Sequence, residues 1–174
     1  MAERMTQYKY FWAWEFDKEE RWLNEMASNG WALVQVGFCK YTFERCEPNE
    51  YSIRLEMRTH DDSYISFLEE TGAEYIGRFF VWQFFRKKSE YGQFDLFSDI
   101  DSKLSHLGRI HKTLLIIGIL NFASGMLNVF EGVHSSANSF VAILNLLLAT
   151  TLMYGVGRIK GKMEYLENER QLRE

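Results

Sequence analysis

The stretch NGWALVQVGFCKYTFERC, residues 29–46, decides how this chain is read. A glycine closes a helical pattern, and two aromatic-rich strands follow at once. Residues 71–88, TGAEYIGRFFVWQFFRKK, say much the same again. A shift of about 42 residues sets Trp22, Leu23, Met26 and Gly30 on Tyr64, Ile65, Leu68 and Gly72, and Leu33 and Val34 on Tyr75 and Ile76. One residue fewer at the next turn then brings Tyr41, Phe43 and Arg45 onto Trp82, Phe84 and Arg86. Each glycine stands where a helix C-terminus needs a left-handed residue.

Working outward, each helix is preceded by a strand pattern, YKYFWAWEF at 8–16 and EYSIRLEMR at 50–58. Asp17 and either Asp61 or Asp62 are N-cap candidates, and Glu20 stands in capping-box register from Asp17. The unit is strand–helix–strand–strand, present twice. One copy cannot bury both faces of its sheet, so two should close a shared core. The expected fold class is α+β: tandem strand–helix–strand–strand repeats forming one six-stranded antiparallel sheet, with two helices on one side.

Alternation along 50–58 turns Ile53, Leu55 and Met57 toward the helices and Arg54, Glu56 and Arg58 away. The matching register in the first half turns Phe11, Ala13 and Glu15 inward and Trp12, Trp14 and Phe16 outward, beside Arg54 and Glu56. Large aromatics next to a carboxylate make a surface that accepts a cation. These five residues, Trp12, Trp14, Phe16, Arg54 and Glu56, are the ligand-binding candidates. A one-residue slip would exchange the faces and make the tryptophans core, because the strand is aromatic on both.

Residues 113–130, TLLIIGILNFASGMLNVF, and 139–156, SFVAILNLLLATTLMYGV, carry no charge. Eighteen helical residues reach about 27 Å, close to the hydrocarbon thickness of a bilayer. A small domain has too little apolar surface to cover two such helices on all sides. The expected organisation is a head at 1–101, a juxtamembrane helix at 102–112, spans at 113–130 and 139–157, an external loop at 131–138 and a charged tail at 158–174. Lys103, Arg109 and Lys112 precede the first span, and Arg158, Lys160 and Lys162 follow the second. The loop EGVHSSAN has neither lysine nor arginine, which predicts a two-span protein of the cell membrane with both termini cytoplasmic. Asn121, Ser124, Asn145 and Thr150 are candidate helix–helix contacts, with Asn145 at the depth of Ser124. They would pack the hairpin against itself, or against a membrane-protein partner or a second copy.

Residues 1–101 hold 12 Lys/Arg against 19 Asp/Glu, and the rest of the chain 8 against 5. An acidic head does not suit nucleic acid, since phosphate contacts need a basic face. The start MAERMTQYKY lacks a signal-peptide apolar core. Cys39 and Cys46 have no metal-binding spacing and read as free thiols in a cytoplasmic head. No metal or other cofactor is expected: the four histidines are scattered, no catalytic motif occurs, and Asp95, Asp99 and Asp101 read as helix caps rather than ligands.

EERWLNEMASNGWALVQVGFCKYTFERCEPNEYSIRLEMR, YISFLEETGAEYIGRFFVWQFFRKK and FDLFSDIDSKLSHLGRI together resemble an uncharacterised bacterial family, domain-of-unknown-function family 2812. The resemblance covers about residues 8–112 and implies a membrane-anchored protein of Gram-positive bacteria, often encoded beside a PadR-like regulator. It brings no activity, cofactor or catalytic residue with it. Ala73 stands where the family pattern has a second tryptophan. In outline the doubled unit is also similar to gyrase-inhibitor-like drug-sensing domains, a likeness of fold only. These readings lead to a membrane-held sensing or binding module for an amphiphilic or cationic small molecule or a protein partner. The alternative is an accessory subunit of a transporter, docking through its hairpin.

Overall fold

Both glycines that close the helical patterns are left-handed, Gly30 at φ +80° and Gly72 at φ +85°. The computed structural model describes residues 3–97, 99–132 and 136–173, and the chain divides into two units, Met1–Ser98 and Asp99–Glu174. The first unit runs β1 (Arg4–Tyr8), a 3₁₀ turn (Ala13–Glu15), α1 (Phe16–Ser28), β2 (Trp31–Gly37), β3 (Lys40–Arg45), β4 (Tyr51–Met57), α2 (Asp62–Glu70), β5 (Ala73–Phe79) and β6 (Trp82–Lys88).

The strands form two three-stranded antiparallel sheets, β1-β3-β2 and β4-β6-β5, rather than the single six-stranded sheet expected. Both halves therefore share one plan, with the last strand in the middle. Each ladder slips at the same place, between Leu33 and Gln35 in β2 and between Tyr75 and Gly77 in β5. Such bulges turn a strand away from its neighbour. β2 and β5 run near one another without pairing; Arg86 of β6 reaches both, donating from Nε to Glu74 of β5 at 2.7 Å and from Nη1 to the Leu33 carbonyl of β2 at 3.2 Å.

Both hairpin turns span the same length, Phe38–Cys39 and Phe80–Val81, so no residue is lost between the halves. Phe43 thus corresponds to Phe85, not Phe84, and Tyr41 to Gln83. Aromatic likeness misleads here because β6 is buried on both faces, with Phe84 and Phe85 each inside. Phe43, Leu33, Tyr41, Ile53, Leu55 and Phe84 form the main core with Leu23 and Ala27 of α1. Phe85 belongs to a second core with Ile65, Leu68, Ala73 and Phe94. The second sheet is therefore covered on both faces, by the main core on one and by α2 on the other.

Helix α1 also closes an edge. β4 lies outermost in its sheet, and an unpaired strand edge invites association. The Asn24 amide donates to the Ile53 carbonyl at 2.8 Å and accepts from the Ile53 N–H at 2.9 Å, in place of a neighbouring strand. Glu20 Oε2 accepts from the Leu55 N–H at 3.2 Å.

The expected strand at 8–16 is the main local error. β1 pairs with β3 from Arg4 opposite Glu44 to Tyr8 opposite Lys40, and β3 begins there. With no partner left, the chain makes one further bond, Lys9 N–H to the Cys39 carbonyl, and turns into the helix through Ala13–Glu15. The helix opens at Phe16, and its Ncap, Glu15, makes no side-chain cap, so Asp17 lies inside the first turn instead of capping it. Asp61 does cap α2, accepting from the Ser63 and Tyr64 N–H groups.

The second unit is an antiparallel pair, α3 (Ile100–Gly132) and α4 (Ser136–Arg173). Both are long and apolar enough to cross a membrane, and only 17% and 22% of their most apolar stretches are buried. Residues 133–135 of the expected loop lie outside the described residues, and the helices take up the rest of it. The charged tail continues α4, and Arg170 donates to Asp101 at 3.0 Å near the start of α3. Asp99 caps α3 by accepting from the Ser102 N–H at 2.6 Å, while Asp95 accepts from the Phe97 N–H. The two helices approach closely at Gly118, against Met153, and at Gly125, where an added Cβ would lie 2.9 Å from Leu146.

Candidate functional site

The site follows from the failed strand. Residues 9–12 overrun the first sheet and fold beside the tips of both hairpins, enclosing a cleft of about 200 Å³. Tyr10, Trp12, Phe38 and Phe80 wall it, and Glu19 and Tyr41 reach it from α1 and β3. Trp12 is 37% exposed and stacks on Trp14 at 4.8 Å with the rings 8° from parallel, while Tyr10 meets it edge-on at 5.0 Å. Trp82, also lining the cleft, stacks on Phe16 at 5.8 Å. Lys9 also lines the cleft, its ammonium 5.1 Å from the lining Phe11 ring and 4.6 Å from the Trp22 ring, a cation held on aromatic faces.

Glu19 is the chemical feature of the cleft. It belongs to the first turn of α1, on the stripe Phe16–Glu19–Leu23–Met26 that turns toward the core. Its Oε1 accepts from the buried Tyr41 hydroxyl at 2.7 Å. Burial pushes the carboxyl up to about 7, against a smaller downward pull from that hydrogen bond. Burial and the adjacent Glu19 raise the Tyr41 phenol, so it remains a donor. Among the described residues Glu19 has no salt-bridge partner.

Of the five ligand candidates read from sequence, only Trp12 lines the cleft. Trp14, 5% exposed, and Phe16 stand behind its walls, each stacked on a lining ring. The outward-facing register of a strand does not apply to any of the three, because Trp12 precedes the 3₁₀ turn, Trp14 lies in it and Phe16 opens the helix.

Glu56 is elsewhere and sealed. It is 1% exposed, accepts from the Tyr64 hydroxyl at 2.8 Å, and has Arg58 at 3.7 Å. Arg58 in turn lies over the Tyr64 ring at 3.8 Å. Helix α2 covers the face that β4 alternation leaves open. Arg54 lines a separate polar hollow beside α1, with Glu20 at 3.6 Å; burial raises the Glu20 carboxyl and Arg54 lowers it. Arg54 and Glu56 thus do not join the tryptophans.

Sequence reasoning missed Glu19, Tyr41 and Phe80. A signal for Glu19 was present: two acids, Glu19 and Glu20, occupy apolar-stripe positions of an amphipathic helix. Each turns out to meet a buried or strand-edge donor.

In the hairpin, the Asn145 amide donates to the Ser124 hydroxyl at 3.0 Å, joining α4 to α3. Asn121 and Thr150 donate instead to Ile117 and Leu146 in their own helices. Cys39 and Cys46 are free thiols.

Residues 15–119 match the family described as Protein of unknown function (DUF2812). The chain belongs to that family. The matched segment of this DUF2812 protein takes in α1, both hairpins and the first half of α3, hence Glu19, Tyr41 and both cleft-forming turns, and begins after Tyr10 and Trp12. No curated protein and no solved structure matches the chain.

Proposed function

We propose that this chain is a membrane-anchored binding protein whose head takes an amphiphilic, cationic small molecule into the aromatic cleft. One observation carries the reading: an aromatic-walled cleft holds a carboxyl group with a fixed hydrogen-bond donor and no salt-bridge partner among the described residues, the lining Lys9 being turned onto the Phe11 and Trp22 rings instead. Rings attract a desolvated cation by up to about 2 kcal/mol each, and an ionised Glu19 adds the countercharge. At about 200 Å³ the cleft is smaller than the roughly 300–1,000 Å³ of sites for drug-sized ligands, which limits it to a ligand built on one small ring.

Exposure of the apolar faces of α3 and α4 supports anchoring, since water would leave Leu120, Leu127, Leu147 and their neighbours unburied. The lysines and arginines flanking 113–130 and 139–157, and their absence from 131–138, favour cytoplasmic termini. The Asn145–Ser124 bond joins the two helices and favours self-packing of the hairpin over docking on a transporter, while Asn121, Asn128 and Thr150 bond within their own helices.

All five tryptophans lie in the head, which makes their fluorescence a report on it. Titrating the full chain in detergent with a phenylalkylammonium ion should give saturable quenching that Trp12→Ala removes. Quenching that rises linearly without saturation, or that ignores Trp12, contradicts the reading.

A further inference from the structure

The two hairpin turns that wall the cleft also carry an exposed aromatic tip. Phe38 and Phe80 are 73% and 78% exposed, and Phe38 packs on Phe79 at 5.7 Å. Tyr8 and Tyr10 are exposed as well, and the Lys9 N–H bond to the Cys39 carbonyl ties their segment to the first turn. The backbone holds Cys39 at φ 51° and Phe80 at φ 56°, a left-handed conformation that side chains other than glycine adopt at a cost.

Charge distinguishes this tip from the rest of the head. Residues 36–42 and 77–83 contain Lys40 and Arg78 and no acid, in a region that carries 12 Lys/Arg against 19 Asp/Glu. Protruding phenylalanine and tyrosine beside lysine and arginine match the interfacial zone of an anionic bilayer. There the rings enter the headgroup–acyl boundary and the cations meet acidic lipid. The same chain carries two helices of spanning length, so a bilayer is the surface within reach at high effective concentration. A protein groove would need neither the basic rim nor that tether.

We propose that the Phe38/Phe79/Phe80 tip docks on the surface of an anionic bilayer, seating the head against the lipid interface. The cleft mouth, which shares Phe38 and Phe80, then opens at that interface, where amphiphiles concentrate. The inference rests on the membrane anchoring proposed above, and its test separates the two.

The full chain is reconstituted in nanodiscs of phosphatidylcholine and phosphatidylglycerol brominated near the headgroup end of the acyl chain. The expected result is loss of tryptophan emission relative to unbrominated discs, carried by Trp12. Phe38→Ser with Phe80→Ser abolishes that loss; both side chains are mostly in solvent, and circular dichroism verifies the fold. Lys40→Gln with Arg78→Gln weakens docking by about fivefold per charge, as does replacing phosphatidylglycerol by phosphatidylcholine. Discs containing the chain but showing equal emission with and without bromine overturn the proposal. So does quenching unchanged in the double serine variant. A tip that cross-links to a second copy, with the emission difference absent at one chain per disc, overturns the proposal and assigns the surface to self-association. A chain that fails to enter discs at all removes the anchor, and this proposal with it.

Discussion

Each half of the head sets a tyrosine hydroxyl against a glutamate, Tyr41 on Glu19 at 2.7 Å and Tyr64 on Glu56 at 2.8 Å. The surroundings are opposite. Glu56 is covered by α2 and has the Arg58 guanidinium beside it, so its charge is balanced inside the fold. Glu19 faces a cleft, and burial holds its carboxyl near neutrality. The difference arises before the helices. Residues 58–61 join β4 to α2 and end in its cap, Asp61, whereas the longer connection 9–15 joins β1 to α1. That longer connection builds the cleft wall. One topology thus yields a structural carboxylate in one half and an available one in the other.

The largest expected effect distinguishes the two helix ends. An alanine Cβ at Gly30 would lie 2.9 Å from the Cys46 carbonyl, a backbone atom, whereas at Gly72 the nearest atom is Tyr91 Cδ2 at 3.2 Å, which can swing aside. Left-handed backbone costs any other residue about 1–2 kcal/mol. Gly30→Ala should therefore destabilise the head by about 2–3 kcal/mol and Gly72→Ala by about 1–2 kcal/mol, measured by urea unfolding. Equal losses would mean that the first hairpin relaxes as freely as the second.

Removing the hydroxyls tests the glutamates themselves. Tyr64→Phe deprives a buried carboxylate of a donor and should cost about 2 kcal/mol. Tyr41→Phe should cost about 1 kcal/mol, because Glu19 can take up a proton instead. The reverse order would show that the first pair is the sealed one.

Titration gives a third contrast. Glu19 binds its proton more tightly folded than unfolded, so its contribution is complete below the unfolded value of about 4.5 and is lost as pH rises through about 7. The head should lose about 2 kcal/mol between pH 5 and 8, after allowance for partial solvent screening. Glu19→Gln should flatten that slope. An unchanged slope in the variant would assign it to other groups.

Much of this was legible in the residues. Gly30 and Gly72, the helix faces at Leu23 and Ile65, and the two long uncharged segments fix the order of elements by local physics. Strand assignment at 8–16 failed because alternation and aromatic content report burial, not pairing, and β3 supplies no partner beyond Lys40. The face of Glu56 was misjudged because alternation says which residues share a side, not whether a helix covers it. That the halves form two sheets, each with a bulge in its last-but-one strand, is a matter of long-range pairing that no single residue type announces. The cleft draws on three separate segments, so only its parts could be seen: aromatics at 10–12 and an acid on an apolar stripe.

The central claim is that Glu19 selects a positive charge in an aromatic cleft. The direct measurement is the affinity of the full chain, at pH 8, for a phenylalkylammonium ion and for the alcohol of the same length, in wild type and Glu19→Gln. Wild type should prefer the ion by about tenfold or more, as a partly buried charge pair does. The preference should disappear in Glu19→Gln while the alcohol binds both alike. An ion preference that survives Glu19→Gln, or an alcohol bound as tightly as the ion by wild type, would contradict it.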